Sequence, residues 1–218
     1  MRKKERAEKV IMRLKEKFGK TECALNYTTP FELLIAVMLS AQCTDVRVNI
    51  VTKEMFKVVN TPEQFSEMPI EEIEDHIRST GFYRNKAKNI KKCSQQLLEK
   101  FNGEVPSDME SLVELAGVGR KTANVVRGEI WGLADGITVD THVKRLSNLI
   151  GLVKEDDVIK IERELMKIIP KYDWIEFSHL LILQGRDKCI ARRPKCFECE
   201  IQEYCKTGLS KINNTKKV

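Results

Sequence analysis

Four cysteines crowd the C-terminal part of the chain with the spacing Cys189-x6-Cys196-x2-Cys199-x5-Cys205. Four thiols so close in sequence can converge on one centre, and both iron–sulfur clusters and structural zinc take four cysteines. Zinc sites usually show two Cys-x2-Cys knuckles, and here only Cys196 and Cys199 form one; the residues by themselves leave both metals open. The remaining cysteines of the seven, Cys23, Cys43 and Cys93, are scattered and read as small, reduced, apolar side chains. An odd count argues against a disulfide framework.

A second chemical signal is Leu115-Ala116-Gly117-Val118-Gly119-Arg120-Lys121-Thr122-Ala123. One helix ends near Ala116 and another begins near Arg120, and the two glycines allow a turn through positive φ. Such a turn aims successive N–H groups outward at a helix N-terminus, which is a ready anion site. A third is Val139-Asp140-Thr141-His142, where Asp140 can be a helix N-cap or an acid placed to do chemistry.

The elements that must position these groups read as helices with short connections. Thr29-Pro30-Phe31-Glu32 places Thr at an N-cap, Pro at the first helical position and Glu at the third, before an apolar run to Leu39. Thr61-Pro62-Glu63-Gln64 repeats the signature, and Ser107 with Glu110 and Asp173 with Glu176 suggest two more starts. The last of these helices is expected to stop at Gly185. The first helix has Val10, Ile11, Leu14 and Phe18 on one face. Only Gly136–Val139 looks extended, and Ser210–Val218 reads as a frayed basic tail. The class is all-α.

The chain has 218 residues, 42% of them hydrophobic, enough for a sizeable core. No run approaches the roughly 18 apolar residues of a membrane helix, and the N-terminus lacks the apolar core of a secretory signal. A soluble, cytoplasmic protein acting as a monomer is expected. The net charge of +6, from 38 basic and 32 acidic residues, permits a polyanionic partner. Basic residues gather at Lys188, Arg192, Arg193 and Lys195, beside the cysteines.

From about Ala24 to Cys205 the chain resembles the endonuclease III family. Beyond the segments above, Leu39-Ser40-Ala41-Gln42-Cys43-Thr44-Asp45, Gly81-Phe82-Tyr83-x-x-Lys86-Ala87 and Gly103-x-Val105-Pro106 carry the resemblance. It implies a two-lobed helix-hairpin-helix glycosylase fold. A six-helix barrel would span 23–135, with the hairpin at about 112–130. A second lobe of 1–22 and 136–218 would hold a [4Fe–4S] cluster on Cys189, Cys196, Cys199 and Cys205, whose spacing is that of the family's cluster loop. Double-stranded DNA carrying damaged bases or abasic sites would lie across the groove between the lobes.

The implied activity is base excision with an attached abasic-site lyase, acting on damaged, oxidised pyrimidines. Lys121 is the implied nucleophile and Asp140 the acid that stabilises the sugar. The first helical turn and Arg120 would disfavour the ammonium form of Lys121. Gly117, Gly119 and Arg120 would grip a phosphate. Gln42 would enter the gap left by the extruded nucleotide, or else be a polar residue at a helix end. Phe82 would wedge against the opposite strand, or else belong to the core. Lys188, Arg192, Arg193 and Lys195 would meet phosphates, and His142 would orient Asp140 or close the pocket. Rival readings are a glycosylase that activates water, whose members usually lack Lys at position 121, a non-enzymatic DNA-binding module, and a zinc protein. Two positions depart from the family pattern: Ala116 stands where Pro is most often found, which predicts a slightly less rigid hairpin, and Leu149 stands where Arg is frequent.

Overall fold

The computed structural model describes residues 1–21 and 23–215, and among them all regular structure is helical. Twelve α-helices follow in order: α1 Lys3–Phe18, α2 Pro30–Ser40, α3 Asp45–Met55, α4 Pro62–Glu67, α5 Ile70–Ile77, α6 Tyr83–Phe101, α7 Met109–Glu114, α8 Arg120–Trp131, α9 Thr141–Ile150, α10 Val158–Met166, α11 Trp174–Asp187 and α12 Lys206–Thr215. The chain divides into two compact units, Cys23–Leu133 and Met1–Glu22 together with Ala134–Val218. Each has its own hydrophobic core.

In the unit Cys23–Leu133, α2 is the central helix. Phe31 and every residue from Leu33 to Leu39 are buried, as an all-round apolar helix requires. It packs on α3, α6 and α8, while α4 and α5 pack on α6. The Thr29 hydroxyl caps α2 by accepting from the Glu32 amide at 3.1 Å. The Glu32 carboxylate, however, reaches one residue further back and accepts from the amide and hydroxyl of Thr28 at 2.7 and 2.6 Å. The capping box is complete at Thr61 and Gln64. Seven helices occur here, because Pro69 divides α4 from α5: it has no N–H, and it holds Met68 extended at ψ 134°.

The start of α7 differs from expectation. Asp108, not Ser107, is its N-cap, accepting from the Ser111 amide at 2.8 Å; an aspartate competes well for this place. The Ser107 carbonyl instead accepts from Arg127 Nε at 2.7 Å.

In the second unit, Val10, Ile11 and Leu14 of α1 are buried as their spacing predicts, and Phe18 packs partly buried at the edge of this core. α1 packs on α11 and α11 on α9. Asp173 precedes α11 but makes no side-chain cap, since its carboxylate is engaged by Lys15 Nζ at 2.7 Å. Nor does α11 stop at Gly185; it continues to Asp187. The glycine serves close approach, because a Cβ there would run into the His142 ring, 3.1 Å from Cγ. The extended stretch before α9 buries Ile137 and Val139, and the carbonyl of Thr138 accepts from Ser178 Oγ at 2.9 Å. Of the expected frayed tail, Ser210–Thr215 belongs to α12, and 216–218 lie outside the described residues. No helix among the described residues is long and apolar enough to cross a membrane.

Candidate active site and metal centre

The hairpin joins α7 to α8 through a turn closed by Val118 N donating to the Leu115 carbonyl at 3.1 Å. Its two glycines differ in kind. Gly117 has φ +77°, and a Cβ there would lie 2.8 Å from Asn89 Cβ and 2.9 Å from Met38 Cε. Both the backbone and the space demand glycine. Gly119, expected to share that conformation, is extended at φ −93°, ψ 172° and is the N-cap of α8. A Cβ on it meets nothing within 4 Å. Nothing in the fold therefore excludes a side chain at Gly119, and a need for glycine there would come from outside the chain.

This difference makes a prediction. Gly117→Val should destabilise the protein by about 1–3 kcal/mol, through strain and overpacking. Gly119→Thr, a β-branched but competent N-cap, should leave the melting temperature nearly unchanged. It should still weaken binding to damaged and undamaged duplex alike, because its side chain fills the space before the amides and its hydroxyl competes for them. Unaltered affinity in Gly119→Thr, measured by titration of both duplexes, would mean that no phosphate approaches this turn.

The departure at Ala116 is compensated. Its amide, which Pro would lack, donates to Gln96 Oε1 at 2.7 Å, and Gln96 Nε2 donates to the Glu114 carbonyl at 3.2 Å. One side chain of α6 thus braces the end of α7 and the entry to the turn, so a looser hairpin does not follow from the missing proline. At the other end, Gly117, Gly119, Arg120 and Lys121 are all exposed. Arg120 and Lys121 are the first two residues of α8, where Gly119 supplies no side-chain cap. The Lys121 side chain has no hydrogen bond or ion pair among the described residues.

Asp140 is the N-cap of α9 and accepts from the Val143 amide through Oδ1 at 2.8 Å. It is half-buried. His142, in the first turn of the same helix, lies with Nδ1 3.2 Å from Arg145 Nη2. Arginine has only donors, so Nδ1 is the acceptor and the ring proton belongs on Nε2. Burial lowers the His142 pKa from its ordinary value; Asp140 opposes this, and Arg145 and Arg186 reinforce it. The contact with Arg145 and the burial both favour the neutral form of the His142 ring.

Gln42 and Phe82 share a property the sequence does not announce. Both are exposed, and both are non-glycine residues at positive φ, 54° and 49°. Phe82 is 65% exposed, which removes it from the core. Gln42 follows the end of α2, and Phe82 is the residue just before α6.

Cys189, Cys196, Cys199 and Cys205 line one cavity of about 120 Å³, together with Leu149 and Ile201. No three Cys, His, Asp or Glu side chains among the described residues converge as a single ion requires. Four thiols around one cavity are the donor set that a polynuclear cluster takes, with separate thiolates on separate metal atoms, and that a structural zinc ion also takes. N–H groups already face the sulfurs. Gln184 Nε2 donates to Cys199 at 3.1 Å, the Gly208 amide to Cys205 at 3.4 Å, and Arg145 Nη1 to Cys189 at 3.6 Å. Burial pushes the Cys189, Cys199 and Cys205 thiols up, so forming thiolates there needs cationic charge inside the cavity. The donor set and the cavity fit a cluster. Leu149, where the family often has Arg, lines this cavity, and its carbonyl accepts from Thr207 Oγ1 at 2.9 Å.

The four cations of the loop are not equivalent. Lys188 is half-buried and paired with Glu198 at 3.1 Å, bracing the loop itself. Arg192, Arg193 and Lys195 are exposed and carry no ion pair among the described residues.

A family model described as HhH-GPD superfamily base excision DNA repair protein matches residues 35–171. The chain belongs to this family. Endonuclease III of Synechocystis sp. is 50% identical over 203 residues, covering 93% of each chain. A non-covalent endonuclease III–DNA complex superposes with a TM-score of 0.91 at 45% identity, covering 98% of this chain and 100% of that one. A trapped covalent endonuclease III–DNA intermediate gives a TM-score of 0.90 at 45% identity, covering 97% and 100%.

Within this HhH-GPD chain, sequence reasoning missed two supporting side chains. Gln96 had no signal, since a glutamine on a polar helix face looks like any solvated residue. Gln184 lies in an apolar helix and is fully buried; it accepts from Lys17 Nζ at 3.1 Å while donating to Cys199. A buried amide at such a position had to have partners, but the sequence did not name them.

Proposed function

We propose that Lys121 is the nucleophile with which this base-excision enzyme, a DNA glycosylase and abasic-site lyase of the endonuclease III kind, removes damaged pyrimidines from duplex DNA. The observation that supports this best is the exposed Lys121 side chain, without a hydrogen bond or ion pair among the described residues, in the first turn of α8, directly after a turn whose Gly119 has no internal reason to be glycine. The amides of that turn would hold a DNA phosphate, which carries no base identity but fixes the strand. The glycosidic bond is shielded within the stack, so the nucleotide must leave it first. Gln42 would fill the gap and Phe82 would press on the opposite strand.

The neutral amine of Lys121 attacks C1′, the bond from C1′ to the base breaks, and the base departs with a proton. Opening of the sugar gives a Schiff base between Lys121 and C1′. Loss of a C2′ proton then expels the 3′ phosphate, and water releases the lysine. Asp140 carries negative charge toward the electron-poor sugar, which stabilises the transition state. His142, near enough for the Asp140 charge to raise its pKa, would help to orient that carboxylate or close the pocket.

Cys189, Cys196, Cys199 and Cys205 would ligate a [4Fe–4S] cluster, which when bound pins the loop carrying Arg192, Arg193 and Lys195 so that these cations meet phosphates in register. The purified protein should contain iron and acid-labile sulfide in equal amounts; zinc alone would reject the cluster.

The activity is tested with duplexes bearing thymine glycol, uracil, 8-oxoguanine or an abasic site, incubated with borohydride. A covalent adduct should form with thymine glycol and with the abasic site. Base release without any adduct would point to water as the nucleophile, and binding without release to a non-enzymatic module.

A further inference from the structure

Lys86 lies in the first turn of α6 and is only 7% exposed. A buried ammonium is costly unless its charge is satisfied, and burial lowers the Lys86 pKa from its ordinary value. Its Nζ donates to two backbone carbonyls, Leu39 and Thr80, each at 2.8 Å. These carbonyls have one feature in common. Leu39 stands near the end of α2, three residues before Gln42, and Thr80 stands two residues before Phe82. Among the described residues only three non-glycine positions have positive φ: Gln42, Phe82 and Asn102. Asn102 is an ordinary left-handed helix terminus after α6. The other two are exposed side chains on strained backbone, a conformation that persists only where surrounding structure imposes it.

We propose that Lys86 is a positioning residue that ties the Gln42 and Phe82 turns to one buried ammonium, holding both side chains in register for entry into the duplex. The inference rests on the reading of Gln42 as filling the gap left by the flipped nucleotide and of Phe82 as pressing on the opposite strand. Each turn alone could relax to an ordinary backbone conformation. Both are anchored through carbonyls close before them, so the spacing between the two tips is set by one side chain. The lysine ammonium donates to both carbonyls at once, which accounts for a lysine in a place where burial disfavours it.

The test is a double-mutant cycle on the full-length protein. Lys86→Met removes the tether. It should slow release of thymine glycol from fully paired duplex by about 10- to 100-fold, as small misplacements of positioning groups do. The loss should be much smaller when the lesion lies opposite an abasic-site analogue, where little unstacking remains to be done. In a background carrying Gln42→Ala and Phe82→Ala, Lys86→Met should cost little more. If Lys86→Met slows both substrates equally, or costs as much in the double-alanine background as in the native one, Lys86 only stabilises the fold and the proposal fails. If the two alanine substitutions have no effect of their own, the reading of Gln42 and Phe82 fails instead. Should Lys86→Met not fold, Lys86→Arg keeps the charge and the donors but displaces them, and should give the same pattern at smaller size. Equal rates for Lys86→Arg and the native protein on paired duplex would then overturn the proposal.

Discussion

Lys121→Gln should abolish borohydride trapping and lower base release by more than about 10⁴-fold, the scale on which loss of a nucleophile acts. The structure makes this substitution clean. The Lys121 side chain is exposed and has no hydrogen bond or ion pair among the described residues, so its replacement breaks none of those described. Glutamine forms helix about as well as lysine, and stability should stay within about 0.5 kcal/mol of the native protein. DNA affinity should also survive nearly intact if the grip on phosphate comes from main-chain amides and Arg120. Thermal melting, binding to an abasic-site analogue and trapping on the abasic duplex, measured together, separate these effects. A trapped complex formed by Lys121→Gln would exclude Lys121 as the nucleophile, and a large loss of binding would make it a phosphate contact.

Much of this arrangement was legible in the chain because its signals are local. Thr29 and Thr61 cap the helices they precede, and the apolar run after Thr29 lies at the centre of one core. Four cysteines within one short stretch could hardly avoid sharing a cavity. What escaped depends on partners distant in sequence. Asp173 looked like a cap until Lys15, from the other end of the chain, took its carboxylate. Gly185 looked like a helix stop, but its hydrogen side chain answers to the His142 ring across the α9–α11 contact. Ser107 and Asp108 were both plausible caps, and Arg127 settles the matter by taking the Ser107 carbonyl. In the hairpin, two glycines with one motif proved to have two causes: φ and steric fit at Gly117, open space at Gly119. Lys86 stood in a recognisable segment, yet nothing in that segment says that its ammonium reaches back to the end of α2.

Asp140→Asn should slow base release by about 10²-fold or more, as loss of a charge-stabilising group typically does, with the fold unharmed. The native carboxylate performs two tasks: it caps α9 through the Val143 amide at 2.8 Å, and it keeps a negative charge at the start of that helix. Asparagine preserves the first, since its side-chain oxygen accepts from the same amide and it caps nearly as well as aspartate. It removes the second. Asp140→Ala removes both, and should add a loss of about 1 kcal/mol of stability to the same loss of rate. Comparing the two variants by melting and by single-turnover base release therefore separates cap from charge. His142 adds a check on interpretation. The Asp140 carboxylate pulls the His142 pKa upward against burial, so its neutralisation moves that pKa further down, away from the charged form. A slower Asp140→Asn enzyme cannot then be explained by a newly charged histidine. Turnover by Asp140→Asn equal to that of the native protein would reduce Asp140 to a structural cap, and the stabilising charge would have to be sought on another carboxylate.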